Sequence, residues 1–149
     1  MNFNIDWVLQ NELAIGPIPK TYKNIVELKN KKIKWIFSLC DINEVSIDID
    51  YEDYFSCKRV ILPDHKYKRP PTIDQLNLAL DTLADIIDFG PVYIHCVAGV
   101  ERSPLVCMAW LMQNHNLTLT QSLDYLMDIH KGSNPLPEQL RLLQFIKKR

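Results

Sequence analysis

Cys96 and Arg102 stand six positions apart in the run His95-Cys96-Val97-Ala98-Gly99-Val100-Glu101-Arg102-Ser103, and five intervening residues suffice to wrap a backbone loop around one phosphate. Amide N–H groups of such a loop point inward, and a helix starting behind it adds the unpaired N–H groups and positive dipole of its first turn. An anion belongs at the centre. The same field favours thiolate over thiol, and cysteines at helix N-termini or beside cations can have pKa values lowered to roughly 3.5–7.5. Cys96 is therefore expected to be a nucleophile at neutral pH. Arg102, permanently charged and shaped as a planar fork, can hold two phosphoryl oxygens at once and stabilise the charge that spreads over them during transfer. Gly99, midway, permits a backbone conformation that a side chain would resist.

Such a loop works only if the flanking elements hold it. Before it, Val92-Tyr93-Ile94 reads as a buried strand; after it, Pro104 to Met112 reads as a buried helix. A cysteine after a buried strand is often just a small core residue, and the Cys-to-Arg spacing arises by chance in many chains. His95 before the cysteine, Gly99 at the centre, Ser103 after the arginine, and a strand and a helix on the correct sides favour the chemical reading. Upstream, Trp7-Val8-Leu9 and Leu13-Ala14-Ile15 suggest a hairpin, Thr21 a capped helix to about Lys31, and Ile33–Leu39 and Lys58–Leu62 two strands. The Asp-rich stretch between those strands is the least readable part. Thr72 opens an amphipathic helix that ends at Gly90-Pro91, and helices are expected over about Thr120–His130 and Pro137–Lys148. The pattern predicts one α/β domain over residues 1–149, with a central mixed, mostly parallel sheet of about five strands and helices on both faces. Ligands bind such sheets at the strand carboxyl ends, where Cys96 falls.

With those elements placed, HCVAGVERS matches the HCxxGxxRS signature of the cysteine-dependent protein tyrosine phosphatase superfamily, and the chain most resembles a small dual-specificity phosphatase. Ala14-Ile15-Gly16-Pro17, Ile36-Phe37-Ser38-Leu39, Leu62-Pro63-Asp64-His65 and Asn134-Pro135-Leu136-Pro137 are similar to pieces of that family, so the likeness covers nearly the whole chain. The resemblance implies a protein tyrosine phosphatase-like fold and hydrolysis of phosphomonoesters through a cysteinyl-phosphate. It implies phosphate binding by Val97, Ala98, Gly99, Val100, Glu101 and Arg102, with no metal and no cofactor. No extra segment resembles the one that deepens the pocket of tyrosine-only relatives, so phosphotyrosine and phosphoserine or phosphothreonine in a phosphorylated protein are the expected substrates.

Ester cleavage also requires a proton for the leaving oxygen. Asp64 matches the family's acid loop; a solvated turn aspartate is the alternative, and Asp41 and Asp53 are fallback acids. Ser103 resembles the hydroxyl that assists the cysteine as leaving group, and it could equally cap the helix. By resemblance His95 orients the loop, with a plain buried histidine as the alternative. Cys40 stands where some relatives keep a second cysteine that forms a reversible disulfide with the oxidised nucleophile, although a buried strand-end cysteine is the leading reading. His65 is expected to be a loop residue that touches substrate at most. Lys66, Lys68 and Arg69 give the acid loop positive charge that either attracts substrate or is simply solvated. His115 and His130 read as surface residues, and Cys57 and Cys107 as structural.

The bulk properties limit the rest. With 149 residues, 47% of them hydrophobic, the chain can bury one full core without staples. A net charge of −1 leaves no global attraction for nucleic acid or an anionic membrane, and no run approaches the ~18 apolar residues of a membrane span. The N-terminus lacks the basic and apolar regions of a signal peptide. Four cysteines without ligand spacing argue against zinc and against a disulfide framework. A monomeric cytoplasmic enzyme is the expectation. Rival readings are a phosphate-binding pseudophosphatase, and an RNA 5′-phosphatase or lipid phosphatase on the same fold. The acidic Glu101 and a loop without lysine argue against a highly anionic lipid, and a sulfur-transfer domain fits Arg102 and Asp64 poorly.

Overall fold

Residues 2–64 and 69–147 are described by the computed structural model. Strands β1 (Asp6–Leu9) and β2 (Leu13–Gly16) form the expected hairpin, with Asn11 at φ 62° in its turn. Strands β3 (Trp35–Ser38), β4 (Ser56–Arg59) and β5 (Val92–His95) run parallel to β2 in the order β1-β2-β5-β3-β4, so β1 alone is antiparallel. The mixed, mostly parallel sheet is thus the expected one. Its central strand, β5, ends at His95 and delivers Cys96 to the carboxyl edge.

Alternating strand residues feed two cores. Leu13, Ile15, Phe37, Val92 and Ile94 pack on one side with α2 (Ile73–Ile86), α3 (Arg102–Asn114), α4 (Leu119–Ile129) and α5 (Pro137–Leu142). On the other side Ala14, Ile36 and Tyr93 meet Ile25 and Leu28 of α1 (Tyr22–Asn30). Helices α1, α2 and α4 start alike: Thr21, Thr72 and Thr118 each accept the N–H three residues on, and Asn24, Gln75 and Gln121 return the bond. Each cap contributes about 0.5–2 kcal/mol and sets the helix boundary.

Several expected boundaries move. The strand read over Lys58–Leu62 is Ser56–Arg59, because only those residues pair with β3; Val60 and Leu62 then bond to Ser38 and Leu39 beyond the ladder, and their buried side chains produced the apolar signal. The helix beginning at Pro137 stops at Leu142 and tightens into a 3₁₀ turn over Leu143–Phe145, and Ile146 is extended, so the chain leaves the helix well short of Lys148, which lies outside the described residues. Cys57 sits within β4 rather than before it. No helix among the described residues is long and apolar enough to cross a membrane.

Candidate active site

The loop from Cys96 to Glu101 is held by its carbonyls. Cys96 O accepts from His95 Nδ1 at 2.7 Å, Val97 O from the Ile18 N–H at 3.0 Å, Gly99 O from His130 Nε2 at 2.8 Å, and Val100 O from the Asn134 N–H at 2.6 Å. In a trans peptide the C=O and the following N–H point in opposite directions. Carbonyls drawn outward by four neighbours therefore turn the N–H groups of Val97, Ala98, Val100 and Glu101 inward. Gly99 has φ +76°, and a Cβ there would lie 2.9 Å from the Gly16 carbonyl oxygen, so backbone conformation and close approach to β2 both require glycine.

Cys96 and Arg102 converge on this loop. The Cys96 thiol is buried, and its Sγ lies 3.1 Å from Ser103 Oγ. Ser103 is not the cap of α3: Glu101 occupies that position without a capping side chain, and the buried hydroxyl faces the thiol instead. Arg102 opens α3 and is 2% exposed. Its guanidinium gives Nη1 to Glu44 Oε2 at 3.0 Å and Nη2 to Glu44 Oε1 at 2.9 Å, an end-on fork, and Nη1 also donates to Leu62 O at 3.1 Å. The buried Nε has no hydrogen-bond partner among the described residues. Burial works against the charge on Arg102, but the bond to Glu44 and the nearby Cys96, Glu44 and Asp64 outweigh it and raise its pKa above the usual arginine value.

Asp64 does approach this centre, with Oδ2 4.0 Å from Arg102 Nη2. Of the fallback acids, Asp41 sits in the turn that carries Glu44, its Oδ1 accepting the Asn43 N–H and its own N–H donating to Glu44 Oε2, and Asp53 lies exposed in a 3₁₀ turn. Arg69 is exposed, while His65, Lys66 and Lys68 lie outside the described residues.

His95 is fully buried. The Cys96 carbonyl can only accept, so Nδ1 carries the proton and Nε2 accepts the Ser38 hydroxyl at 2.7 Å. Burial pushes its pKa down to about 4, and the ring stays neutral. Cys40 is buried at the end of β3, its thiol 3.7 Å from the Cys96 carbonyl and 3.9 Å from Arg59 Nη1. Burial, the largest influence, raises its pKa above the ordinary thiol value.

Two residues of the site were missed in the sequence. Glu44 lies in the Asp-rich stretch, where no spacing marks it and acidic neighbours hide it. His130, expected at the surface, is 7% exposed and bridges Gly99 O to Asp6 Oδ2, 2.7 Å from Nδ1; it caps α4 at its C-terminus, and that turn packs against the loop. His115 is exposed as expected.

A sequence model of the family described as "Dual specificity phosphatase, catalytic domain" matches residues 19–148. Mouse dual specificity protein phosphatase 14 is 36% identical over 72 residues, covering 42% of this chain and 36% of that one, and Arabidopsis thaliana dual specificity protein phosphatase 1 is 31% identical over 94 residues, covering 57% and 48%. The chain thus spans less than half the length of these relatives. A phosphatidylglycerophosphate phosphatase of Arabidopsis thaliana, PTPMT2, is 21% identical over 133 residues, 89% of this chain and 58% of that one. Among solved structures, Tk-PTP in the active form superposes with a TM-score of 0.82 at 22% identity over 97% of each chain. Human tyrosine phosphatase-like serine/threonine/tyrosine-interacting protein follows at 0.81 and 18%, over 95% of this chain and 93% of that one. At such identities the likeness is one of fold, and it matches the protein tyrosine phosphatase-like fold expected above. The family match runs unbroken through β5, the loop that carries Cys96 and Arg102, and the closing helices: this chain belongs to the dual specificity phosphatase catalytic-domain family.

Proposed function

We propose that the chain hydrolyses phosphomonoesters of proteins, phosphotyrosine and phosphoserine or phosphothreonine alike, through a cysteinyl-phosphate. The observation that supports this is the set of four outward-held carbonyls, which turns loop amides inward beside the buried Cys96, with Arg102 Nε unpartnered among the described residues. In the first step the Cys96 thiolate forms an S–P bond as the P–O bond to the leaving group breaks, and Asp64 gives its proton to the departing oxygen. In the second, water attacks phosphorus, Asp64 takes its proton, and sulfur leaves as thiolate while the Ser103 hydroxyl donates to it. Arg102 and the amides of Val97–Arg102 carry the charge on the phosphoryl oxygens throughout. Release of phosphate from phosphotyrosine and phosphothreonine peptides tests the reading; a chain that binds both and hydrolyses neither is a capture module instead.

Asp64→Asn is expected to slow an alkyl phosphate by ~10²–10⁴-fold and an ester with an excellent leaving group far less, because only the former needs the proton. Equal loss on both would move the acid elsewhere.

Cys40 is proposed as the partner of the oxidised nucleophile. Its thiol lies 3.7 Å from the Cys96 carbonyl oxygen, at the end of the adjacent strand. Peroxide treatment followed by thiol mapping is expected to yield a Cys40–Cys96 link; over-oxidised Cys96 beside a reduced Cys40 would sink the idea.

A lipid phosphate monoester is the second reading, favoured by the similarity to a phosphatidylglycerophosphate phosphatase along most of the chain. Phosphatidylglycerophosphate in micelles, run beside the peptides, separates the two.

A further inference from the structure

The four anchors of the loop differ in chemistry. Ile18 and Asn134 donate through backbone N–H groups, which do not titrate, and His95 is neutral across the working range because burial lowers its pKa to about 4. His130 is the exception. Its Nε2 faces Gly99 O and its Nδ1 faces Asp6 Oδ2. Beside an ionised Asp6 both partners are acceptors, whereas a neutral imidazole has a single N–H. Both bonds therefore exist together only on an imidazolium.

Removing one proton forces a choice. A carboxylate is the stronger acceptor, so the remaining proton stays on Nδ1 beside Asp6. The Nε2 lone pair is then left 2.8 Å from the Gly99 carbonyl oxygen, a repulsive contact. Gly99 carries no Cβ to restrict its ψ, so the Gly99–Val100 peptide can turn about Gly99 ψ and Val100 φ to relieve it, and that turn takes the Val100 N–H away from the phosphoryl site.

We infer that His130 is a positioning residue, a proton-dependent latch whose imidazolium holds the phosphate loop in its anion-binding form. The inference rests on the reading that this loop binds a phosphoryl group. Beside His130 stand Asp6 from β1 and Asp128 and Lys131 from its own segment, and the chain that runs through the loop it holds also carries Cys96, Glu101 and Arg102. Carboxylates and ammonium groups ordinarily titrate outside the neutral range, whereas histidine titrates within it. The sign follows: oxyanion binding is strong with the ring charged and weakens as rising pH removes the proton.

The test uses the Cys96→Ser chain, in which no nucleophilic thiolate titrates, and tungstate, which keeps its charge over the range used. Between about pH 6 and 9 its Kd is expected to rise about tenfold, the worth of one hydrogen bond. Adding Asp6→Asn lets the amide donate to Nδ1 of a neutral ring whose Nε2–H still serves Gly99, so the Kd should become flat. Adding His130→Gln supplies a neutral donor to Gly99 and should flatten it too. A Kd independent of pH in the Cys96→Ser chain, or a pH dependence that survives either added substitution, overturns the latch. No tungstate binding at any pH overturns the phosphate-site reading and the latch with it.

Discussion

Cys96→Ser is expected to lower turnover of a phosphotyrosine peptide by ~10⁴-fold or more while phosphopeptide binding survives. The hydroxyl has nearly the size of the thiol and can keep the contact with Ser103, and none of the four carbonyl anchors involves the side chain that changes. What is lost is the nucleophile: sulfur attacks as a thiolate, and a serine hydroxyl offers no comparable anion. Single-turnover kinetics and peptide binding by calorimetry check the two halves. A serine chain that retains turnover within tenfold of the parent would falsify sulfur as the nucleophile.

Arg102→Met is expected to do two separable things. Removing the guanidinium takes away the unpartnered Nε–H and the positive charge proposed to stabilise the phosphoryl oxygens, and kcat/KM should fall by ~10³-fold or more. It also leaves Glu44, whose side chain is 6% exposed, without the partner that neutralised it. Stranding one member of a buried pair costs about 3–5 kcal/mol of stability. Adding Glu44→Gln removes the stranded charge, so the double variant should regain most of the lost urea midpoint and none of the lost activity. If the double variant is as unstable as Arg102→Met alone, the Glu44 pairing is not what holds this arginine in the fold.

Local signals in the chain were reliable where one element or one turn decided the outcome. The run from His95 to Ser103 announced a strand, a loop and a helix because all three follow one another within a few residues, and the glycine sits where the loop needs φ +76°. Thr21 and Thr72 marked helix starts because a cap is satisfied within its own first turn, whereas the helix expected from about Thr120 starts behind a Thr118 cap. Boundaries slipped where length depended on a neighbour: β4 ends where β3 stops offering partners, although Val60 and Leu62 keep an apolar pattern running past it.

Residue roles slipped for a related reason. Ser103 has the right type and place for a cap, but the chain enters α3 so that Glu101 takes that position and the hydroxyl turns to sulfur. His130 looked like the polar end of an amphipathic helix, and burial came from packing that end against the loop.

The sequence by itself determined the strand, loop and helix around Cys96 and Arg102, the order of the elements and the mixed sheet, because spacing, caps and hydrophobic period are properties of neighbours along the chain. Only the tertiary structure decided what holds that loop and its arginine. Glu44 reaches Arg102 across 58 positions, His130 reaches Gly99 across 31, and Ile18 meets Val97 because β2 and β5 are adjacent in the sheet. Such pairs are set by strand order and helix docking, and a residue's type carries no record of which distant acceptor the fold will place before it.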